Sequence, residues 1–403
     1  MVKPRTRRLL AISMTGALFL AACGGDDSDS ASSTTAAGES TASSAAGGTE
    51  TSGGGAGGTS LKGVCPDTIT IQTDWNPEAE HGGIYELVGD GYEVDADKKI
   101  VTGPLVAGGE DTGIKVSIRT GGPAIGFQTV VSQMYQDKDI TLGYVYTDEA
   151  IQHYADMPTL SVFAGLDKNP QIIMWDPETY PDVETIADLK ETGAKVRYFD
   201  GAAYMEYFKQ NDILTEDQLD GSYDGTPAVF VSQEGKIAQQ GFASAEPYIY
   251  KNEVENWGKD VAFQLVHDAG WQPYSGPLAM RKEDYESLKE CMALFVPIAQ
   301  QAQVDFMNSP DETNALILEL VEAYNTGWVY TQGVADFSVE QMKDLGIVGN
   351  GPNETLGDHD EDRVAELIEK AIPVYESTGE EVDKDLKPAD IVTNEFIDTS
   401  IKL

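Results

Sequence analysis

Basic residues are scarce in this chain: 27 lysines and arginines stand against 68 aspartates and glutamates, a formal charge of −41. A surface that negative repels phosphate backbones and anionic lipid headgroups, so a nucleic-acid partner is excluded. Solubility in a salty medium accounts for the charge as well as a functional acidic patch does. Histidine occurs four times, as His81, His153, His267 and His359, with no ligand spacing, so no metal site and no cofactor is expected. The sequence carries no G-x-S-x-G elbow, no phosphate-binding loop and no paired-histidine motif, so an enzyme is not expected. Long apolar runs are missing too. The longest candidate, Leu9 to Leu20, is too short to span a bilayer core of roughly 30 Å as a helix.

That short run is informative in another way. Lys3, Arg5, Arg7 and Arg8 precede it and Ala21-Ala22-Cys23 closes it, the layout of an export signal. Because a cysteine follows the small residues directly, the stretch resembles a bacterial lipoprotein signal. The resemblance implies acylation of Cys23, removal of residues 1–22 and tethering to the extracytoplasmic face of the cell membrane. A plain secretory signal with an incidental cysteine is the alternative. Loss of the leader's four basic residues would take the mature chain to about −45. From Gly24 to Ser60 the sequence is almost entirely Gly, Ser, Thr, Ala, Asp and Glu, without one aromatic residue. Such a segment has nothing to bury, and as a coil its ends would lie roughly 35 Å apart, enough to hold a folded body clear of the lipid.

With Cys23 acylated, Cys65 and Cys291 remain, an even pair in a compartment where disulfides persist. We expect them to be bonded to each other; two buried thiols are the alternative. About 340 residues follow Gly63, more than one core usually serves, so two lobes are expected.

The body alternates β-rich and helical runs. Strands are expected at Thr68–Thr73, Lys115–Ile118, Thr141–Tyr146 and Leu160–Ala164, with helices near Ile84–Gly91 and Ile125–Gln136. A second set has strands at Ile172–Trp175, Val196–Phe199 and Ala228–Val231, and helices at Ala202–Gln210 and Gln233–Gln240. Another strand is expected at Gly276–Met280. Beyond it, Tyr285, Leu288, Met292, Phe295, Ala299 and Ala302 recur at spacings of three and four, one apolar stripe on a helix that packs on a sheet. Ile317–Tyr324 and Val364–Tyr375 repeat the pattern, as helices returning to the first lobe.

Three stretches carry a family resemblance. Thr73-Asp74-Trp75-Asn76-Pro77 followed by Glu80-His81-Gly82-Gly83-Ile84-Tyr85, then Thr185 to Lys190, then Gly241-Phe242 through Ala245-Glu246-Pro247-Tyr248, resemble the solute-binding proteins related to thiamine-pyrimidine-precursor synthases and binders. The likeness extends from Thr68 to about Val304, and its later motifs are shared with binders of nitrate, taurine and alkanesulfonates. It implies an α/β, bilobed type II periplasmic-binding-protein fold with two hinge crossings. On that frame residues 1–22 are a signal, 23–62 a lipidated cysteine and linker, 63–170 the first lobe, 171–273 the second, and 274–403 the rest of the first lobe with C-terminal helices. It also implies an ABC permease and its ATPase as partners, and we expect a monomer. The related synthases use a cysteine-rich, iron-associated motif that has no counterpart here.

Ligands of open α/β folds bind at the carboxyl ends of the strands. Candidates there are Asp74 and Glu80 as acceptors, His81 as donor or acceptor, and Trp75 as a stacking face or a core aromatic. Glu246 is an acid in an otherwise apolar run, which needs a partner if buried; an interlobe ion pair or exposure is the alternative. Gly201, Ala202 and Tyr204 open a helix whose N–H groups could hold a carbonyl or anion, or simply turn the chain. Tyr146, Thr147 and Tyr274 fall near the crossings, as ligand wall or hinge packing. Arg119 is the one basic residue near a cleft loop. The set favours a planar heterocycle with amino groups, such as a thiamine pyrimidine precursor; the alternative is taurine, an alkanesulfonate, nitrate or another small organic acid.

Overall fold

The computed structural model describes residues 59–403. The signal, Cys23 and nearly all of the linker lie outside the described residues. Twelve strands appear: β1 (Thr68–Gln72), β2 (Glu93–Asp95), β3 (Ile100–Ala107), β4 (Glu110–Arg119), β5 (Leu142–Tyr144), β6 (Thr159–Phe163), β7 (Gln171–Trp175), β8 (Val196–Arg197), β9 (Leu219–Asp220), β10 (Ala238–Phe242), β11 (Ala262–Leu265) and β12 (Leu278–Arg281). They form a seven-stranded sheet in the order β2-β3-β4-β1-β5-β12-β6 and a five-stranded sheet in the order β11-β7-β10-β8-β9.

The two orders are the same pattern. In the first lobe β1 lies between β4 and β5, parallel to both, and β12 runs antiparallel between β5 and β6. In the second, β8 lies between β9 and β10, parallel to both, and β7 runs antiparallel between β10 and β11. Each antiparallel strand belongs to the chain that has just arrived from the other lobe, after β6 in one direction and β11 in the other. This is the bilobed type II periplasmic-binding-protein fold. Its central strands are buried on both faces, β7 at every residue after Gln171, and that strand reads as a short apolar run.

The first lobe gains a hairpin that composition concealed. Gly103 and Pro104 sit inside β3, and the β3–β4 turn is Gly108-Gly109, both at positive φ (56° and 82°). Two central residues at positive φ match the twist of a two-residue hairpin. Pro104 removes one ladder donor, and the register shifts between Pro104 and Val106. The helix expected near Ile84–Gly91 is therefore one turn, Gly82–Tyr85, before the chain turns into β2.

The second lobe reverses two expectations. Ala228–Val231 is helical, as Ala228–Ser232, with only Phe230 buried. Gln233–Gln240 is not a helix: Glu234 and Gly235 take positive φ (54° and 70°), and β10 follows in the sheet. Its glutamines, buried in a central strand, are held by specific bonds. Gln239 donates to the Tyr250 hydroxyl (2.7 Å), and Gln240 Oε1 accepts from the Phe199 N–H (2.7 Å) and the Tyr204 hydroxyl (3.0 Å).

Cys65, just ahead of β1, is bonded to Cys291 on the helix Tyr285–Asn308, with Cα atoms 4.7 Å apart. That helix and Asp311–Tyr324 pack in the first lobe. The next two touch both lobes. Gln332–Asp344 packs on Asp311–Tyr324 and on the Ala79–His81 turn in the first lobe and also on the second lobe's helix Glu246–Asn252, with Phe337 and Tyr248 ring centres 5.5 Å apart. Glu361–Thr378 touches Thr147–His153 in the first lobe and Ala203–Gln210 in the second. Among the described residues no helix is long and apolar enough to cross a membrane.

Candidate functional site: a carboxylate-lined cleft between the lobes

The first strand's exit is fixed by its own side chains. The Gln72 amide donates to the carbonyls of Thr73, Arg119 and Thr120 (3.0, 3.2 and 3.1 Å), and Thr73 Oγ1 accepts from the Gly121 N–H (3.2 Å). Gly121 comes so close that a Cβ would stand 2.3 Å from the Thr73 oxygen and 2.4 Å from the Asp74 carbonyl carbon. Only glycine fits. The turn sets Asp74 over the carboxyl ends of β1 and β5, where its Oδ1 pairs with His81 Nε2 (2.9 Å) and its Oδ2 accepts from the Tyr146 hydroxyl (3.0 Å). A carboxylate only accepts, so the hydrogen of a neutral His81 sits on Nε2 and leaves Nδ1 as a bare acceptor. The ring packs edge-on against Tyr144, centres 5.0 Å apart.

These residues line a void of about 20 Å³ between the lobes, with Glu78, Glu80 and Ser275 on the first-lobe side and Phe242 on the second-lobe side. That is space for about one water, not for a ring. Glu80 reaches across the cleft: one of its oxygens accepts the hydroxyl of Ser244, which follows β10. Its other oxygen, Oε2, is buried without a partner, and so is His81 Nδ1. Burial, and then the charges of Glu80, Asp74 and Glu246, push the Glu78 carboxyl well above its ordinary value. Burial pushes Glu246 up to about 7, against the lowering effect of the Phe242 and Glu246 N–H groups. No lysine or arginine lines the void.

The remaining candidates are distributed around this centre. Glu246 opens the helix Glu246–Asn252, and its Oε2 accepts from the Phe242 N–H (2.6 Å), bracing the turn that places Phe242 and Ser244. Trp75 lies outside the void in an aromatic cluster, 6.0 Å from both Phe127 and Trp328. Thr147 Oγ1 accepts from the Tyr274 N–H (2.9 Å), and Tyr274 stacks under the Arg363 guanidinium (3.9 Å) while its hydroxyl accepts from the Asp360 N–H (2.7 Å). Both belong to the hinge. Arg363 also donates to the carbonyls of Asp167, Gln272 and Pro273, which clamps the two crossings together. Arg119 does not join the void; it pairs with Asp137 (2.6 Å) beside β2, because its strand position aims it at the outer groove. Gly201 (φ 84°) and Ala202 turn the chain from β8 into Ala203–Gln210, and Tyr204 is spent on Gln240. Glu78, Tyr144, Ser244 and Ser275 were not anticipated. Glu78 shares the Asp74–Glu80 turn, and Ser244 stands two residues before the acid that drew attention in that run.

A second polar arrangement lies apart from the cleft. Ser161 Oγ is 2.7 Å from His359 Nε2, and His359 Nδ1 is 3.3 Å from Asn394 Oδ1, the order of a nucleophile relay. Ser161 and His359 are 3% and 1% exposed, so no substrate reaches them. Asn394 also brackets the His359 backbone (2.8 Å in both directions), and Thr393 N–H donates to the Ser161 carbonyl. The group fastens the C-terminal segment to β6. Among the described residues no group of three or more His, Cys, Asp or Glu is disposed to hold a metal ion.

No family model matches the chain, and no curated protein matches it. Solved structures do resemble it. The periplasmic aliphatic sulphonate binding protein SsuA from Escherichia coli is 15% identical, covering 79% of this chain and 91% of its own, with a TM-score of 0.49. The alkanesulfonate-binding protein SsuA from Xanthomonas axonopodis pv. citri, bound to MOPS, is 11% identical over 81% and 98%, with a TM-score of 0.46. The ligand-binding component of an ABC-type import system from Staphylococcus aureus, with zinc bound, is 11% identical over 82% and 97%, with a TM-score of 0.47. The fold assignment rests on the doubled strand order, not on these likenesses.

Proposed function

We propose that the chain is the extracytoplasmic solute-binding component of an ABC importer, carried on the cell membrane by a lipid on Cys23 and delivering its solute to a permease and ATPase as a monomer. The solute is a small planar heterocycle bearing amino groups, of the kind a thiamine pyrimidine precursor represents. The observation that carries this reading is the void at the strand ends, lined by Tyr144, Tyr146 and Phe242 and by carboxyl groups, with Glu80 Oε2 and His81 Nδ1 unpartnered on two of its lining residues. In it Asp74, Glu80, His81 and Tyr146 meet the solute, while Glu246, Thr147 and Tyr274 hold the walls. Trp75 with Trp328 stands beside the entrance turn, and Gly201 and Ala202 offer backbone from the second lobe. A ring enters only when the lobes part, because the closed space takes about one water. The sulfonate, nitrate or small-acid reading lacks a cation at the void, since Arg119 is paired with Asp137.

The test is a thermal-shift and calorimetric panel on the purified protein. Aminopyrimidines such as the hydroxymethyl and formylamino compounds should give the largest stabilisation. Stabilisation by taurine or an alkanesulfonate with silence from every heterocycle would overturn the assignment in favour of the acid.

A further inference from the structure

The void is lined by carboxylates, by His81 and by the hydroxyls of Tyr144, Tyr146 and Ser275. The Tyr146 hydroxyl serves Asp74 and the Ser244 hydroxyl serves Glu80. What remains unpartnered is Glu80 Oε2 and His81 Nδ1, on residues that are 9% and 3% exposed. A buried carboxylate oxygen without a donor is costly, and a ligand that supplies the donor recovers that cost. Asp74 adds a second carboxylate at the same place, Glu78 adds a carboxyl that burial holds well above its ordinary value, and no lysine or arginine lines the void. The void's volume, about 20 Å³, matches one NH₃⁺ or water-sized group, and the aromatic residues Tyr144 and Phe242 line it.

We infer that the deep end of the cleft is an ammonium pocket: the solute carries a protonated nitrogen that donates to Glu80 Oε2 and His81 Nδ1 between the Tyr144 and Phe242 rings. The inference rests on the solute-binding reading and narrows it to cationic ligands. A neutral amino group could fill one acceptor, but only a cation also answers the surplus of carboxylates.

The experiment uses the intact protein and two pyrimidines differing in one group, 4-amino-5-aminomethyl-2-methylpyrimidine, protonated at neutral pH, and its 5-hydroxymethyl counterpart. Benzylamine and benzyl alcohol form a second such pair, and taurine and ethanesulfonate represent the acids. Calorimetry should show each amine bound at least about tenfold more tightly than its alcohol, and Glu80→Gln should cut that ratio to about twofold or less while alcohol binding persists. The amine-to-alcohol ratio in the unaltered protein decides the matter even where the variant does not fold. If an alcohol binds as tightly as its amine, the ammonium pocket is wrong and the heterocycle reading stands. If neither pair binds, with or without binding of the acids, the ammonium pocket is likewise wrong. If only the acids bind, the heterocycle reading falls with it.

Discussion

The two lobes share one strand order and contribute unequally to the cleft. The first lobe has seven strands, the Cys65–Cys291 bond and, within eight residues of sequence just after β1, Asp74, Glu78, Glu80 and His81. The second has five strands and sends Phe242 and the Ser244 hydroxyl to the same place. Its other polar residues near the strand ends bond within the lobe, Gln239 to Tyr250, Gln240 to Phe199 and Tyr204, and Arg197 to Ser222, with Gln239 Oε1 and Arg197 Nη1 left without a partner. Same topology, different occupation of the strand ends, assigns the proposed reading of the solute to one lobe and closure over it to the other.

The sharpest way to break this division is to remove what holds the reading lobe together. The bond joins residues 226 apart, and in the chain-entropy account closing a loop that long stabilises by about 5 kcal/mol. Replacing both cysteines by serine, or reducing the bond, should lower stability by up to about that amount in guanidinium unfolding. Hydrogen exchange should show the loss in β1 and the helix Tyr285–Asn308, with the amides of β7 and β10 little changed. Equal loss in both sheets would mean that the lobes do not differ in this respect.

How much of this division the sequence displayed depends on the residue. The core strand Gln171–Trp175, QIIMW, is a short apolar run between turns that burial on both faces writes directly, and Thr68–Gln72, TITIQ, is legible by its β-branched residues. β10 was illegible for the opposite reason: its sequence, AQQGF, is polar, and tertiary hydrogen bonds rather than hydrophobicity keep it in the sheet. Asp74, Glu80 and His81 could be found because they share one turn. Ser244 could not, since its role exists only through Glu80 from the other lobe. Arg119 misled because proximity in sequence to a cleft loop says nothing about which face of β4 its side chain leaves.

A smaller effect compares one buried acid from each lobe. Glu149, in the first turn of Thr147–His153, is pushed up to about 8, chiefly by burial; Glu246 is pushed up to about 7, also chiefly by burial. For a carboxyl whose folded value is raised, the stabilising contribution is fully present below its unfolded value near 4.5 and is lost as pH rises through the folded value. Glutamine cannot ionise and escapes that loss. Relative to the unaltered protein, Glu149→Gln should therefore gain stability between about pH 4.5 and 8, and Glu246→Gln between about 4.5 and 7, with the larger gain at Glu149. Melting temperatures at pH 5 and 8.5 check both, and an advantage that shrinks toward high pH would show that these carboxyls are not held protonated by burial. His359 acts in the opposite direction: burial lowers it to about 4, so its contribution is present above 6.5 and fades as pH falls through 4.

The smallest effect tests the second lobe's polar contribution. The Ser244 hydroxyl donates across the cleft to Glu80, and both residues are buried in the closed arrangement. A buried hydrogen bond to a charged group contributes roughly 1.5–3 kcal/mol, but part of that loss is recovered when water reaches Glu80 as the lobes part, so about 1 kcal/mol of closure is at stake. Such a change shifts a closed-to-open ratio about fivefold. Ser244→Ala should therefore widen the unliganded protein in small-angle scattering while changing its melting temperature only slightly. It should leave the preference among solutes as it was, because the acceptors proposed to read them, Asp74, Glu80 and His81, all stand on the first lobe. A change in solute preference without a change in scattering would place recognition on the second lobe and undo the division.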